Sequence, residues 1–414
     1  MPHPDLAASL TAELDGLLRA ADAELVARFP GELPGRQPVH TVYVPADVVD
    51  AGLVPRWGRE AHEVLAGHRP LLAGLVGRAA DEVLPLVAAK LDREPVEDLR
   101  IDLEDGYGNR TDAEEDGHVR AAATALARAQ REGAAPPFSG IRVKSLEAPT
   151  RARSVRSLTG FLTDLLEAGG HLDGFVVTLP KVTSVAQVEA MVLACGRVED
   201  ALGLDSGSLR FEIQVETPQS VLGPDGTALV ARMIHAGQGR VGGLHYGTYD
   251  YSAFCGIPAP FQAADHPVAD HAKLVMQAAA AGTGVRLSDG STNVLPVGPP
   301  VQVRSAWVVH TGLVRRALER GYYQGWDLHP AQLPSRFAAT YAFYREHAPA
   351  AAARLRAYLD GAGGAVADEP ATARALSDLL VRGLDCGALL ADEVDALVGV
   401  PAGELLALAR PRRG

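Results

Sequence analysis

Short apolar runs alternate with longer stretches of helical periodicity over most of this chain. Eight of the runs predict β-strands, and each of the first seven is followed by a stretch with helical periodicity or helix-forming composition. The predicted strands span residues 40–46, 98–105, 140–146, 173–181, 209–216, 241–247, 284–290 and 325–330. Strands that alternate with helices pair in parallel through right-handed crossovers. Eight such units close a barrel, so we predict an α/β fold of the (β/α)₈ TIM-barrel type, with an open doubly wound sheet as the alternative.

The segments before and after these units are predicted to be helical. One stripe of leucines typical of an amphipathic helix lies near the start of the chain, at Leu10, Leu14, Leu17 and Leu18. After Pro330 the composition is helical and rich in alanine and leucine, interrupted by the glycine-rich hinge at 361–364. We therefore expect an N-terminal helical extension over 1–38, the barrel over 39–335 and a small C-terminal helical appendage or lid over 336–414.

Composition and charge restrict the class of protein. The chain has 414 residues, of which 47% are hydrophobic and 22% charged, so wholesale disorder is excluded. With 39 Lys and Arg against 51 Asp and Glu, the net charge of −12 argues against nucleic acid or an anionic membrane as partner. The three cysteines form no paired motif, and the N-terminus lacks a signal-peptide pattern. No apolar run approaches the ~18–20 residues of a membrane span, so we expect a cytoplasmic protein.

Polar and charged side chains recur where the predicted strands end. Such residues at the carboxyl ends of parallel strands converge on the mouth of a barrel, where the active sites of this fold lie. An Asp after a strand also suits helix capping, which is the alternative for Asp102, Asp105, Asp250 and Asp289. The residues at or near strand ends are Asp102, Glu104, Asp105, Arg142, Lys144, Lys181, Gln214, Glu216, Asp250, Asp289, Asp327 and His329.

Two of these carboxylates predict a metal site. Glu216 ends the fifth strand, and the following Thr217-Pro218 suits the cap and first turn of a helix, which leaves Glu216 without a capping role. Asp250 lies 34 residues later, about one βα unit, so the two side chains are expected at neighbouring strand ends. Carboxylate oxygens with water and a bidentate substrate make the octahedral site that Mg²⁺ prefers. The histidines are dispersed and form no zinc motif.

Basic residues near the same strand ends predict a site for an anion. Arg142 and Lys181 can supply positive charge for a carboxylate or a developing enolate oxygen, and Arg offers planar bidentate contacts. The run at 142–156 contains five basic residues and either receives substrate phosphates or forms a solvated loop. The glycines at 235–243 precede a strand instead of following one, so they do not fit a dinucleotide-binding loop.

Six short motifs in register resemble a known enzyme group. They occur in the order seen in citrate lyase β-subunit-like and malyl-CoA lyase-like proteins of the HpcH/HpaI aldolase group, which are phosphoenolpyruvate/pyruvate-type TIM barrels. The resemblance covers roughly residues 40–335. The motifs are DLED (102–105), RVK (142–144), LPKV (179–182), QVETP (214–218), GTYDYSAFCG (247–256) and GWDLHPAQL (325–333).

The resemblance implies a lyase or aldolase that depends on Mg²⁺, with Mn²⁺ as an alternative, and that makes or breaks a C–C bond beside a carbonyl. Glu216 and Asp250 match the metal ligands of the group, and Arg142 matches the arginine that holds the substrate carboxylate and keto oxygen. Glu104 and Asp105 match the acidic pair that follows the second strand in that group. In the tail, Asp368 matches an acid/base residue delivered over the mouth, often from a neighbouring subunit. A homo-oligomer, trimeric or hexameric, is implied as well.

Three functional hypotheses follow. The first is a Mg²⁺-dependent carbon–carbon lyase acting on an α-keto acid or a 3-hydroxy-acyl substrate, CoA-linked or not, through a metal-stabilised enolate. The second keeps the barrel and metal but transfers or hydrolyses a phosphoryl group of a phosphoenolpyruvate-like ligand. The third is a non-catalytic binding protein, which the presence of both Arg142 and Glu216 disfavours.

Overall fold

Eight parallel strands form one sheet in the computed structural model, which describes residues 4–33, 35–361 and 369–410. The sheet order is β7-β6-β5-β4-β3-β2-β1-β8. The strands are β1 His40–Pro45, β2 Asp98–Asp102, β3 Phe138–Arg142, β4 Phe175–Leu179, β5 Arg210–Val215, β6 Val241–Tyr246, β7 Arg286–Ser288 and β8 Gly325–Asp327. A parallel bridge joins Ser288 to Gln324, and the Asp289 N–H donates to the Gln324 carbonyl over 2.8 Å. These contacts bring β7 to β8, so the predicted barrel is confirmed over the open sheet.

Helices alternate with the strands as the periodicity predicts. Local signals begin several of them. The helix Asp112–Arg131, for example, starts with a capping box in which Thr111 and Glu114 bond each other's backbone N–H groups. The long connection after β1 carries two helices, Leu53–Val76 and Ala80–Arg93. The helices are α1 Pro4–Arg28, α2 Leu53–Val76, α3 Ala80–Arg93, α4 Asp112–Arg131, α5 Arg151–Glu167, α6 Val185–Leu202, α7 Pro218–Val221, α8 Leu229–Ala236, α9 Thr248–Phe254, α10 Pro267–Ala280, α11 Pro300–Glu319, α12 Leu333–Leu359, α13 Pro370–Cys386, α14 Ala391–Val398 and α15 Ala402–Ala409.

The apolar core lies between the strands and the surrounding helices. Ile101, Ile141 and Val177 are paired side by side in β2, β3 and β4, and all three are fully buried. The opposite face of the sheet lines the barrel interior, because Arg100 of β2 reaches across to Glu212 of β5, a strand with which β2 does not pair. Barrel interiors of this fold are usually filled by branched apolar side chains, so the charged interior here is a departure.

The two ends of the chain pack differently. Helix α12 is largely buried and contacts α13, where the Tyr341 hydroxyl donates to the Cys386 carbonyl over 2.9 Å. The expected boundary between residues 335 and 336 falls within the first turn of α12. Helix α1 is exposed from Leu6 to Arg28, including its leucine stripe. No helix of the described segments combines the length and apolar character of a membrane span.

Candidate active site

The turn after β2 is organised by Asp102, the last residue of that strand. Its Oδ1 accepts the Glu104 N–H over 3.0 Å, and its Oδ2 accepts the Gly106 N–H over 2.9 Å. A Cβ at Gly106 would lie 2.7 Å from Asp102 Oδ2, so only glycine fits this close approach. Asp102 thus fixes the loop that carries Glu104 and Asp105, and it caps no helix.

Asp102 also holds Arg142, the last residue of the neighbouring strand β3. The Arg142 Nε and Nη2 atoms each donate to one Asp102 oxygen over 2.7 Å, a bidentate pair that fixes the guanidinium plane. Arg142 Nη1 makes longer contacts of 3.3 Å to Gln214 Oε1 and to Glu104 Oε2. The buried guanidinium also lies over the Tyr43 ring, 4.8 Å from its centroid. Arg142 is therefore oriented from one side, and Nη1 is its most weakly engaged nitrogen.

Glu216 follows β5 and is completely buried. Thr217 caps α7 by accepting the Ser220 N–H, with Pro218 in the first turn, which confirms that Glu216 has no capping role. Glu216 Oε1 accepts the Lys181 N–H over 2.7 Å, and Oε2 accepts a hydrogen bond from the Gln214 side chain. The carboxylate is therefore held in one orientation by the backbone after β4 and by a side chain of its own strand.

Gly247 gives Glu216 the space it occupies. A Cβ at Gly247 would lie 2.5 Å from Glu216 Cβ and 2.9 Å from its Oε2. Any larger residue at the end of β6 would push Glu216 out of its place. The site therefore requires glycine at position 247. This glycine is part of the motif GTYDYS, but the sequence analysis did not identify it as a site residue.

The Lys181 ammonium lies among four carboxylates. Its Nζ is 2.6 Å from Asp250 Oδ2, 2.8 Å from Asp105 Oδ2 and 3.5 Å from Glu216 Oε2. Glu104 Oε1 is 3.6 Å away. The Lys181 backbone has a φ of 52°, a left-handed conformation that is uncommon outside glycine. This conformation turns the N–H toward Glu216 while the side chain reaches the carboxylates.

Three of these carboxylates can converge on one cation. Asp105, Glu216 and Asp250 each offer an oxygen atom, and the three atoms lie within 4.8 Å of one another. Asp250 lies in the first turn of α9, whose N-cap is Gly247, so it does not serve as the cap. The sequence predicted Glu216 and Asp250 at neighbouring strand ends, and the structure brings them together with Asp105. The donor set consists only of carboxylate oxygens, which suit a hard divalent cation.

The cluster carries more negative than positive charge. Burial, followed by repulsion from Glu104 and Asp250, raises the pKa of Glu216 to about 8 despite the attraction of Lys181. Burial and the neighbouring Asp105 raise the pKa of Glu104 to about 7, against the attraction of Arg142. Burial lowers the pKa of Lys181, but the surrounding carboxylates outweigh it and leave that pKa above its ordinary value. The raised pKa values of Glu216 and Glu104 show that the cluster favours additional positive charge, which a proton or a bound cation can supply.

Several residues predicted near the mouth lie elsewhere. Lys144 donates to the Leu103 carbonyl and pairs with Glu115 of α4. Asp289 is buried against Lys273 of α10, with both oxygens 3.0 Å from Nζ. His329 caps the short turn after β8 by accepting the Ala331 N–H. None of these contacts reaches the cluster of Asp105, Glu216 and Asp250.

The prediction that Asp327 faces the mouth is wrong. Its side chain is buried outside the barrel, where it contacts His40, His310 and Arg336. The reason is strand alternation: the neighbouring Trp326 stacks on Tyr43 inside the barrel, with ring centroids 4.3 Å apart, so Asp327 points the other way. Asp368, named through the family resemblance, lies outside the described residues.

The basic run after β3 is occupied by ion pairs. Arg153 pairs with Glu115 and Asp116 of α4, and Arg156 pairs with the same Asp116. Arg151 donates to the Leu146 carbonyl over 3.1 Å. These arginines therefore join α5 to α4 and to the preceding loop, and phosphate is not needed to explain them.

Tyr43 and Trp326 are site residues that sequence reasoning missed. They stack on each other inside the barrel, and Tyr43 supports the Arg142 guanidinium from β1. Aromatic residues are common in ordinary strands, so neither carried a distinguishing signal. Tyr43 and Trp326 could have been identified only by knowing which alternate residues of β1 and β8 point into the barrel.

Comparisons with known proteins identify a family and a fold. A family model described as "Domain of unknown function (DUF6986)" matches residues 18–413. No curated protein matches the chain. Among solved structures, the pyruvate/acetyl-CoA ternary complex of malate synthase from Haloferax volcanii is similar, with 13% identity and a TM-score of 0.50. The match covers 86% of this chain and 82% of that one, and it supports the barrel fold.

Two further solved structures are more distant in shape. Native Haloferax volcanii malate synthase is 17% identical, with a TM-score of 0.49, over 74% of this chain and 76% of that one. An HpcH/HpaI aldolase/citrate lyase family protein from Burkholderia cenocepacia J2315 is 15% identical, with a TM-score of 0.41. This match covers 75% of the present chain and 93% of the other.

Proposed function

The chain belongs to the DUF6986 family, whose description names no activity, and we propose from its site that it is a Mg²⁺-dependent enzyme that makes or breaks a carbon–carbon bond beside a carbonyl group. The proposed substrate is an α-keto acid or a 3-hydroxy-acyl compound, free or linked to coenzyme A. The single observation that carries the proposal is the convergence of three carboxylates beside a buried, oriented arginine. The motifs shared with the HpcH/HpaI aldolase group support the same chemistry, as does the barrel fold shared with a malate synthase.

The donor set fits a divalent metal ion. Asp105, Glu216 and Asp250 would hold it, since their oxygens lie within 4.8 Å of one another and a bound cation would take the place of the proton that the raised pKa of Glu216 retains. When bound, such an ion acts as a Lewis acid that favours negative charge on the substrate oxygen atoms. We propose Mg²⁺, with Mn²⁺ as the alternative that the same carboxylate set accepts.

Arg142 would bind the carboxylate of the substrate. Two of its nitrogens are held by Asp102 at 2.7 Å, whereas Nη1 has only the contacts of 3.3 Å to Gln214 and Glu104. A substrate carboxylate can replace these longer contacts without turning the guanidinium plane. Because the group is buried beneath Tyr43, its charge is poorly screened by solvent.

Glu104 lies between the arginine and the carboxylate cluster. One of its oxygens is 3.3 Å from Arg142 Nη1, and the other is 3.6 Å from Lys181 Nζ. A substrate held by Arg142 and facing the cluster would therefore meet Glu104. That position suits Glu104 to move a proton at the substrate carbon or hydroxyl, with Lys181 stabilising its charge. Asp368 stays a prediction from the resemblance, as does a trimeric or hexameric assembly.

The other two hypotheses gain no support from a specific contact. Phosphoryl transfer was motivated by the basic run after β3, and Arg153 and Arg156 of that run are engaged by Asp116. A purely binding role would not require the excess carboxylates around Lys181.

Calorimetric titration of the metal-free protein with Mg²⁺ tests the proposal. Glu216→Gln and Asp250→Asn should each abolish the binding seen in the unaltered chain, because each removes one charged oxygen donor of the three. Glu147→Gln is the matched control, since this exposed carboxylate lies in the loop after β3 and contacts Ser145. Metal affinity retained by both site variants would overturn the assignment.

The reaction class is tested by product analysis. The Mg²⁺-loaded protein is incubated with pyruvate plus an aldehyde or acetyl-CoA, and separately with phosphoenolpyruvate. A new carbon–carbon bond in the first mixture supports the proposal. Release or transfer of phosphate in the second mixture alone would replace it with phosphoryl chemistry.

A further inference from the structure

We propose that the amino-terminal end of the barrel holds a second binding site, for a small molecule that carries both an oxyanion group and a hydroxyl group. The site is a cavity of about 270 Å³. Its walls include the first residues of five strands, namely Asp98, Phe138, Phe175, Arg210 and Arg286. Because the strands are parallel, their first residues all lie at one end of the barrel and their last residues at the other. This cavity therefore lies at the opposite end of the barrel from Glu216 and Asp250.

Two arginines at this cavity lack carboxylate partners. Within the described residues, neither Arg210 nor Arg286 has a carboxylate oxygen within 4.0 Å. Arg286 Nη2 donates to the Gly35 carbonyl over 3.0 Å, and Arg210 Nη2 makes a marginal contact of 3.5 Å to Gly239. Arg210 Nε is buried and has no hydrogen-bond partner among the residues that the structure describes. Arginines gain most from carboxylate or phosphate groups, which match the guanidinium geometry.

The electrostatic surroundings of Arg286 point to the same ligand charge. Burial, with repulsion from Arg382, Arg410 and Arg210, lowers the pKa of Arg286 to about 10, and the weaker attraction of Glu32 does not offset it. Arg382 and Arg410 are themselves paired with Asp378. A bound anion would give Arg210 and Arg286 the direct carboxylate-like contact that Arg382 and Arg410 have with Asp378.

The inner end of the cavity is made of a closed ionic cluster. Arg100 bonds Asp98 Oδ2 over 2.9 Å and both oxygens of Glu212 over 3.1 Å. His245 Nε2 lies 3.0 Å from Glu212 Oε2. Three arginines line the cavity, namely Arg100, Arg210 and Arg286, against the two carboxylates of Asp98 and Glu212. With His245 neutral, one positive charge is left for a ligand to balance.

Two atoms of this cluster remain without partners. Asp98 Oδ1 and His245 Nδ1 are both buried, and neither forms a hydrogen bond within residues 4–33, 35–361 and 369–410. Asp98 Oδ1 is an acceptor, and His245 Nδ1 is one too when Nε2–H donates to Glu212. Each atom therefore needs a donor, which an oxyanion cannot supply, whereas each ligand hydroxyl can donate to one of the two. The oxyanion would lie at the arginines and the hydroxyl at the inner end.

The absence of a side chain at Gly243 contributes to the space. This residue of β6 lines the cavity, where a Cβ would lie 3.5 Å from His245 Nε2 and 3.6 Å from Glu212 Cβ. Barrels of this fold normally fill their interior with branched side chains. Ligand pockets usually begin at about 300 Å³, so the cavity suits a molecule of a few carbon atoms.

Calorimetry with the metal-free protein tests this site. The probes are glycerol phosphate against inorganic phosphate, and 3-hydroxybutyrate against butyrate, so each pair differs by its hydroxyl-bearing part. We expect saturable binding that depends on Arg210 and Arg286, and tighter binding of the hydroxyl-bearing member of at least one pair. Arg286→Gln and Arg210→Gln should each weaken it about tenfold. Arg232→Gln, which removes an exposed arginine paired with Asp225, should leave it unchanged.

Two results would overturn the inference. One is that none of the four anions binds, and the other is that binding is equally tight in both arginine variants while their melting temperatures match that of the unaltered chain. Equal affinity for both members of each pair would remove the hydroxyl from the proposal. Glu216→Gln should leave this binding intact, so a failure of the metal site does not affect the result.

Discussion

Lys181 Nζ lies 2.6 Å from Asp250 Oδ2 and 2.8 Å from Asp105 Oδ2, so one ammonium group bridges two ligands of the proposed metal site. The same ammonium is 3.5 Å from Glu216, the third ligand. The Lys181 ammonium thus neutralises part of the charge of these carboxylates, and a divalent ion has to compete with it for the same oxygen atoms.

Removing this competitor should strengthen metal binding. We expect Lys181→Met to raise the Mg²⁺ affinity about tenfold, because the three carboxylates lose an attached positive charge. Titration calorimetry measures the change. Lys144→Met is the matched control, since Lys144 pairs with Glu115 and does not contact the cluster. Unchanged or weaker binding in Lys181→Met would show that the ammonium and the ion do not share these oxygens.

Adding one methyl group at Gly247 should damage the same site. The Cβ of Gly247→Ala would lie 2.5 Å from Glu216 Cβ, so the glutamate must move. We expect Mg²⁺ affinity to fall about tenfold, as overpacking of this kind costs ~1–3 kcal/mol. In Gly242→Ala, a change in the strand that precedes Gly247, the new Cβ meets nothing closer than 3.8 Å, so affinity should be retained. Equal affinities in the two variants would contradict the packing argument.

Arg142→Lys should separate substrate binding from metal binding. Lysine keeps the charge but loses the planar fork held by Asp102, so pyruvate binding in the presence of Mg²⁺ should weaken about tenfold. Mg²⁺ affinity should stay nearly the same, because Arg142 is not one of the three proposed ligands. Loss of metal binding together with pyruvate binding, at unchanged melting temperature, would contradict this division of roles.

Acid stability should depend on Glu199 of α6. Its carboxylate bonds Arg240, over 2.6 and 2.7 Å, and the N–H groups of Leu209 and Gly207. The Arg240 contact and these N–H groups lower the pKa from 4.5 to about 2, despite burial. The resulting stabilisation is complete above about pH 5 and is lost as the pH falls toward 2.

We therefore expect Glu199→Gln to lower the free energy of unfolding by about 3 kcal/mol at pH 7, since one pKa unit corresponds to about 1.4 kcal/mol. The difference from the unaltered chain should shrink between pH 5 and pH 3. Urea unfolding at several pH values measures it. Glu189→Gln, an exposed glutamate of the same helix, should change little at any pH. A difference that stays constant with pH would rule out the ionised carboxylate as its source.

Local patterns determined the order of the elements. All eight strands lie within or next to the predicted segments, because buried parallel strands are short apolar runs and the intervening helices have their own periodicity. The expectation that Glu216 and Asp250 lie together also rested on local information. It required only that both follow neighbouring strands and that Thr217 takes the capping role.

The tertiary structure alone decided which other polar residues join Glu216 and Asp250. Asp105 joins the cluster because the Asp102 turn directs it there, and Asp327 is absent from the mouth because its strand turns it outward. The direction of a side chain depends on where a strand starts its alternation and on how loops pack, which no short motif encodes. The contacts between Arg100 and Glu212 inside the barrel, and the cavity beside Arg286, were not predicted from the sequence, because their members are far apart along the chain and meet only when the barrel closes.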